Sequence, residues 1–220
     1  MLKLDKQPSE AIYEIVLTGK FNPQKFHPQW FAKKKLLGKK EANKANDDFI
    51  VSKKKAFFTT KYLRISVEKK YFRITAKQLV FWDVAEEFAV NVSKILAESL
   101  DNGFLISSVF HFTFKSEKKM LKVLNNFNQN QKVWASILEN SQLDELEISE
   151  ETITKYGWMR RNVSLSVCGR EDMENTIHLY VTTISIVDLE KTSLYNAIIE
   201  DEDTLKNNLV VVNKIINAYF

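Results

Sequence analysis

The chain has 220 residues, 45% hydrophobic and 27% charged, a globular balance with enough apolar material for a sizeable core and no need of a metal or disulfide staple. A single cysteine, Cys168, excludes an intrachain disulfide and fits a reducing compartment. The net charge of +4 conceals a polarity: residues 1–82 carry 19 Lys/Arg against 7 Asp/Glu (+12), and the remainder 13 against 21 (−8).

The opening, MLKLDKQPSEAIYEIVL, lacks a basic segment followed by a long apolar one, and no apolar run approaches the ~20 residues that span a bilayer. A cytosolic protein with no membrane partner is the expectation. Ala11–Thr18 reads as a first strand. The segment FNPQKFHPQWFAKKKLLGKK follows, from Phe21 to Lys40, rich in aromatics and then in lysine. Pro23 and Pro28 push Asn22 and His27 toward extended conformations, and Pro28 suits the first position of a helix with His27 as a poor N-cap. Phe26 and Phe31 then occupy the two positions of a hydrophobic staple. Trp30 and Leu37 fall on one face, and Gly38 is the expected stop. Gly38–Asp48 reads as a loop with a further helical turn.

The clearest hairpin lies in YLRISVEKKYFRITAK. Leu63, Ile65 and Val67 alternate with Tyr62, Arg64 and Ser66; Phe72 and Ile74 alternate with Tyr71, Arg73 and Thr75. A tight turn at Lys69–Lys70 sets Ile65 against Ile74 and Val67 against Phe72. From Gln78 to Leu100 apolar residues recur at three- and four-residue spacing (Phe81, Val84, Phe88, Val92, Ile95), which predicts a long helix ended by Asp101-Asn102-Gly103. FLISSVFHFTF predicts a strand with Phe104, Ile106, Phe110, Phe112 and Phe114 on the face of Ser108. Two shorter helices are expected near Glu117–Phe127 and Gln131–Asn140, then strands at Leu143–Ile148, Asn162–Cys168 and Thr176–Val187. In the last, the alternation slips near Thr182-Thr183, which suggests a bulge or a switch of faces. A closing helix from Thr204 to Tyr219 follows the acidic run Glu200–Asp203, where the helix dipole favours negative charge. This order predicts an α+β fold of largely antiparallel sheet packed by a long central helix and a C-terminal helix, either one domain over 1–220 or two lobes, about 1–115 and 116–220.

Motifs for catalysis are absent: there is no P-loop, GxGxxG, GxSxG, HExxH or CxxC. His27, His111 and His178 share no ligand spacing, so no metal or cofactor is expected. Asp48 followed by Glu68-Lys69-Lys70 imitates a metal-nuclease pattern, but Glu68 and Lys70 flank a turn tip and should splay into water. Two surfaces remain. Tyr62, Arg64, Tyr71, Arg73 and Lys77 would interleave aromatic and basic groups on the outward hairpin face, where aromatics can stack on bases and cations neutralise phosphates. Trp158, Arg160 and Arg161 are of residue types favoured at binding hot spots, and Lys33 and Lys34 belong to the lysine excess where a partner is expected.

FNPQKFHPQWF, the paired strands LRISVEKKYFRIT, the following helix and SSVFHFTF together resemble a group of small uncharacterised bacterial proteins. In these, a strand leads into a Phe-Asn-Pro…Pro-x-Trp segment; a strand pair, a helix and a strand ending near His-Phe follow, then a Trp in the next helical region, here Trp134. The chain is also similar, more faintly, to a sporadically distributed bacterial family with a like centre. The resemblance spans most of the first 140 residues and brings no activity to carry over. Sporadic occurrence implies, by analogy, an accessory role in a mobile-element or defence operon. Two readings follow: a non-catalytic interaction module with a protein partner or self-association, and a nucleic-acid-binding protein that uses the basic first third.

Overall fold

A computed structural model describes residues 8–129, 146–167, 173–200 and 203–220. Among these, nine strands form one antiparallel sheet in the order β2-β3-β4-β5-β1-β6-β9-β8-β7. The expected α+β architecture is the one observed.

The middle of the sheet is β1 (Glu10–Gly19) beside β6 (Leu100–Thr113). On one side of this seam lie β2 (Ile50–Val51), β3 (Lys55–Thr59), β4 (Leu63–Glu68) and β5 (Tyr71–Ala76). On the other lie β7 (Leu146–Thr154), β8 (Gly157–Val167) and β9 (Thr176–Val187). The β4–β5 register is the expected one, Ile65 against Ile74 and Val67 against Phe72. It follows from the alternation, since a one-residue slip would turn all four apolar side chains toward solvent.

Helices cover one face. Tyr13, Ile15 and Leu17 of β1, Ile65 and Val67 of β4, and Phe72 and Ile74 of β5 are buried beneath them. The helix α1 (Pro28–Lys33) begins where the prolines place it, and the His27 Nδ1 accepts the Trp30 N–H at 3.2 Å, so His27 does cap the helix. Phe26 and Phe31, both buried, meet with ring centroids 6.2 Å apart, and Phe31 reaches Phe58, Phe72 and Phe88. The helix ends earlier than expected. Lys35, at φ 60°, takes the left-handed turn assigned to Gly38, and Gly38 becomes the N-cap of α2 (Lys39–Ala45).

A 3₁₀ turn over Leu79–Phe81 leads into α3 (Trp82–Ile95), which buries Ala85, Phe88, Ala89 and Val92. The helix stops before the predicted Asp101-Asn102-Gly103, because β6 starts at Leu100 and pairs Leu100 with Gly19. Gly103 lies within β6, opposite Ile186, where a Cβ would sit 3.0 Å from the Ile186 side chain. The close approach, not a helix cap, is what uses a glycine there. In β6, Phe104, Ile106, Ser108, Phe110 and Phe112 all point to the helical side, with Phe114 just beyond, as the sequence pattern predicts.

The later elements are α4 (Glu117–Gln129), α5 (Leu194–Glu200) and α6 (Asp203–Tyr219). The helix expected over Gln131–Asn140 lies outside the described residues, as do Trp134 and, in the acidic run, Asp201 and Glu202. In α6, Leu209, Val212 and Ile216 face the core. The slip expected at Thr182-Thr183 does not occur, because β9 pairs without interruption on both sides. Thr183 keeps the inward phase because the buried Asn208 of α6 accepts its hydroxyl at 3.4 Å, so a polar residue at a core position has a partner.

Candidate interaction face

Strand alternation sends every second residue to the other face, and among the described residues no helix lies there. Registers align these residues into rows across the strands. Val16, Leu105 and Ile184 are neighbours on β1, β6 and β9, with Arg73 of β5 and Arg160 of β8 at either end. Four residues along, Ile12, Val109 and Tyr180 form a second apolar row. Between them runs a polar row of Glu14, Ser107, Thr182 and Asn162, in which only Glu14 is charged. Beyond the first row, Ile186 pairs with Trp158 and Trp158 with Ile153; Ile186 is 39% and Ile153 87% exposed. An open antiparallel face ordinarily alternates polar-out. Here Ile12, Leu105, Val109 and Ile184 remain partly exposed on that face, while Val16, between Arg73 and Leu105, is buried.

The flanks of the face are charged. Arg64 of β4 is exposed. Arg73 donates to Glu14 Oε1 at 3.2 Å and lies over the exposed Tyr71 ring. On β8, Arg160 donates to Asn162 Oδ1 at 3.0 Å and to Ser149 Oγ at 3.1 Å. Arg64, Tyr71 and Arg73 therefore share the outward hairpin face, but Tyr62 does not join them. Its ring turns to Phe81, 4.7 Å away, and its hydroxyl raises the pKa of Lys61 through a hydrogen bond. Lys77 is half-buried, its backbone N–H bound to the Tyr62 carbonyl. Of the residues expected to make protein contacts, Trp158 and Arg160 lie on the open face, whereas Arg161 takes the opposite phase in register with Thr183. Lys33 and Lys34 are exposed at the end of α1.

Residues 1–82, at +12, build β1 to β5 with α1 and α2, and α3, with Asp83, Glu86 and Glu87, packs against β1 and β5. Lysines 53 to 55 flank the short edge strand β2, where they oppose edge-to-edge pairing.

No sequence spacing connects His111 with His178, yet the β6–β9 register sets them opposite each other. Their rings stack with centroids 4.2 Å apart and planes 5° from parallel. His111 Nδ1 lies 3.3 Å from Glu10 Oε2 and 3.2 Å from Met173 Sδ, and His178 Nδ1 lies 2.8 Å from the Tyr180 hydroxyl. Both histidines fall in the outward phase of their strands, between inward Phe110 and Phe112 or Ile177 and Leu179. That phase is readable in sequence; the pairing is not. Among the described residues, no group of three or more His, Cys, Asp or Glu side chains is arranged to hold a metal ion. The nuclease-like trio is dispersed: Asp48 accepts from Thr59, and Glu68 pairs with Lys55 at 3.8 Å.

An open, mainly apolar groove of about 440 Å³ runs along the end of the face between Asn102, Trp158, Ile186 and Leu189. Asp188, at its edge, has its carboxylate held below the usual range by a 3.0 Å bond from Lys191 and by the Glu190 N–H. Among the described residues, no helix is long and apolar enough to cross a membrane. No family model matches the chain, and neither does any curated protein.

Proposed function

We propose that this chain is a non-catalytic interaction module of the cytosol, an accessory to another protein or to its own copies, and that the open sheet face is its docking surface. One observation carries the reading. All the described helices pack on one side of the sheet, while on the other Leu105 and Ile184 and, one polar row away, Ile12, Val109 and Tyr180 stay partly exposed. Apolar rows with a charged margin suit a protein interface.

The test compares wild type with Leu105→Arg/Ile184→Arg by sedimentation velocity and by fluorescence of an apolar-surface dye. The wild type should either associate or bind dye, and the arginines should abolish whichever occurs without changing the far-UV spectrum. A wild type that does neither would refute the reading. A second reading, nucleic-acid binding, draws on the exposed lysines of α1 and α2, Lys33, Lys34, Lys39 and Lys40 among them. It requires binding to single-stranded oligonucleotides at ~50 mM salt that declines steeply as salt rises; salt-independent or absent binding removes it.

A further inference from the structure

We infer that the open face seats the same face of a second copy of this chain, about a twofold axis running along the strands between β6 and β9. The inference rests on the interaction reading above and names its partner.

The apolar residues select the position of the axis. Leu105 and Ile184 are cross-strand partners on β6 and β9, as are Val109 and Tyr180. An axis between these strands sets Leu105 of one copy over Ile184 of the other, and the reverse, so one patch meets itself. Strands ~4.8 Å apart and ~3.3 Å per residue make the six strands from β5 to β7 a face on the order of 700–800 Å². That is close to the ~800 Å² per partner of a stable interface.

Charge selects the direction of the axis. A twofold along the strands exchanges the wings: β5 lies over β7 and β1 over β8. Because such a rotation preserves position along the strand, Arg73 comes over Glu151, which shares its row. A twofold across the strands would stack each strand on itself and bring Arg64 and Arg73, one outward row apart on β4 and β5, near the same pair of the other copy. Like charges set against one another across an interface oppose that arrangement.

The test uses the full chain. Sedimentation equilibrium should give twice the chain mass at micromolar concentration, and Leu105→Arg should weaken association on the order of 100-fold, as for an interface centre. Spin labels then fix the axis, placed one at a time at Ser107→Cys on β6 or Ser66→Cys on β4 in a Cys168→Ser background with an unchanged far-UV spectrum. Sheets ~10 Å apart put the two Ser107 backbones ~11 Å and the two Ser66 backbones ~35 Å from their copies. A crossed axis between the rows of Ser107 and Ser66 would bring both pairs to ~12 Å, so short distances at both sites overturn the inference. A monomeric wild type overturns it too. If that monomer binds the apolar dye and the double arginine variant does not, the interaction reading stands without self-association; a monomer that binds no dye ends both.

Discussion

Phe31 should be the most costly single truncation in the segment from Phe21 to Lys40. It is fully buried, and its ring meets Trp30 at 4.9 Å, Phe58 at 5.1 Å, Phe88 at 5.9 Å, Phe72 at 6.1 Å and Phe26 at 6.2 Å. One side chain thus ties α1 to β3, β5 and α3. Phe31→Ala removes the transfer energy of the ring and leaves a void whose aromatic walls can collapse only partly, a loss of about 3–5 kcal/mol. For a chain of this size each kcal/mol lowers the melting temperature by about 2–4 °C, so a loss of about 4 kcal/mol predicts a fall of about 8–16 °C. Phe57→Ala supplies the comparison, since Phe57 is on β3 as well but half-exposed on the open face. Its truncation should cost about 1 kcal/mol or less, because little buried area is lost. Thermal melts followed by far-UV circular dichroism measure both. If Phe31→Ala lowers the melting temperature no more than Phe57→Ala does, the ring cluster does not join helix to sheet and the reasoning fails.

Two further predictions concern the turn region beside β8. Gly157 has φ +155°, and a Cβ there would collide with the Ile186 carbonyl oxygen, so Gly157→Ala should cost more than about 2 kcal/mol in urea unfolding, whereas Gly38→Ala, in open space, should cost less than about 1 kcal/mol. Asp188→Asn should lower the melting temperature near neutral pH. A carboxylate whose folded pKa is depressed contributes stability above its unfolded pKa of about 3.9 and loses it as pH falls through the lower folded value, so the gap to wild type should close in strongly acidic buffer. A gap that stays constant with pH would count against the Lys191 contact as its cause.

Much of the framework was legible because local physics dictates it. Period-two alternation alone fixes Ile65 against Ile74, and it puts Phe104 to Phe112 on one face of β6. Prolines and the staple place the start of α1. What stayed hidden depends on partners distant in the chain. Gly103 reads as a helix cap until β9 is known to lie against it, and the slip at Thr183 is an irregularity until Asn208 supplies its hydrogen bond. The same holds for the face itself. Arg64, Tyr71 and Arg73 were visible as an outward set, but the apolar rows through Leu105 and Ile184 cross strands that no sequence spacing relates. Tyr62 departs from that set because Phe81, in the 3₁₀ turn after β5, lies 4.7 Å from its ring.

The strand order has a kinetic consequence. Strands β2 to β5 follow one another as hairpins, and so do β7 to β9, so each wing can form from contacts between near neighbours in the chain. The seam is different: β1 joins β5 and β6, and β6 joins β9, only after long loops have closed. Such closures are entropically slow, and local pairings precede them. In pulse-labelled refolding, amides of β4 and of β8 should gain protection before those of β1. The strand at the centre of the native sheet, emerging first from synthesis, would then be among the last to find its neighbours.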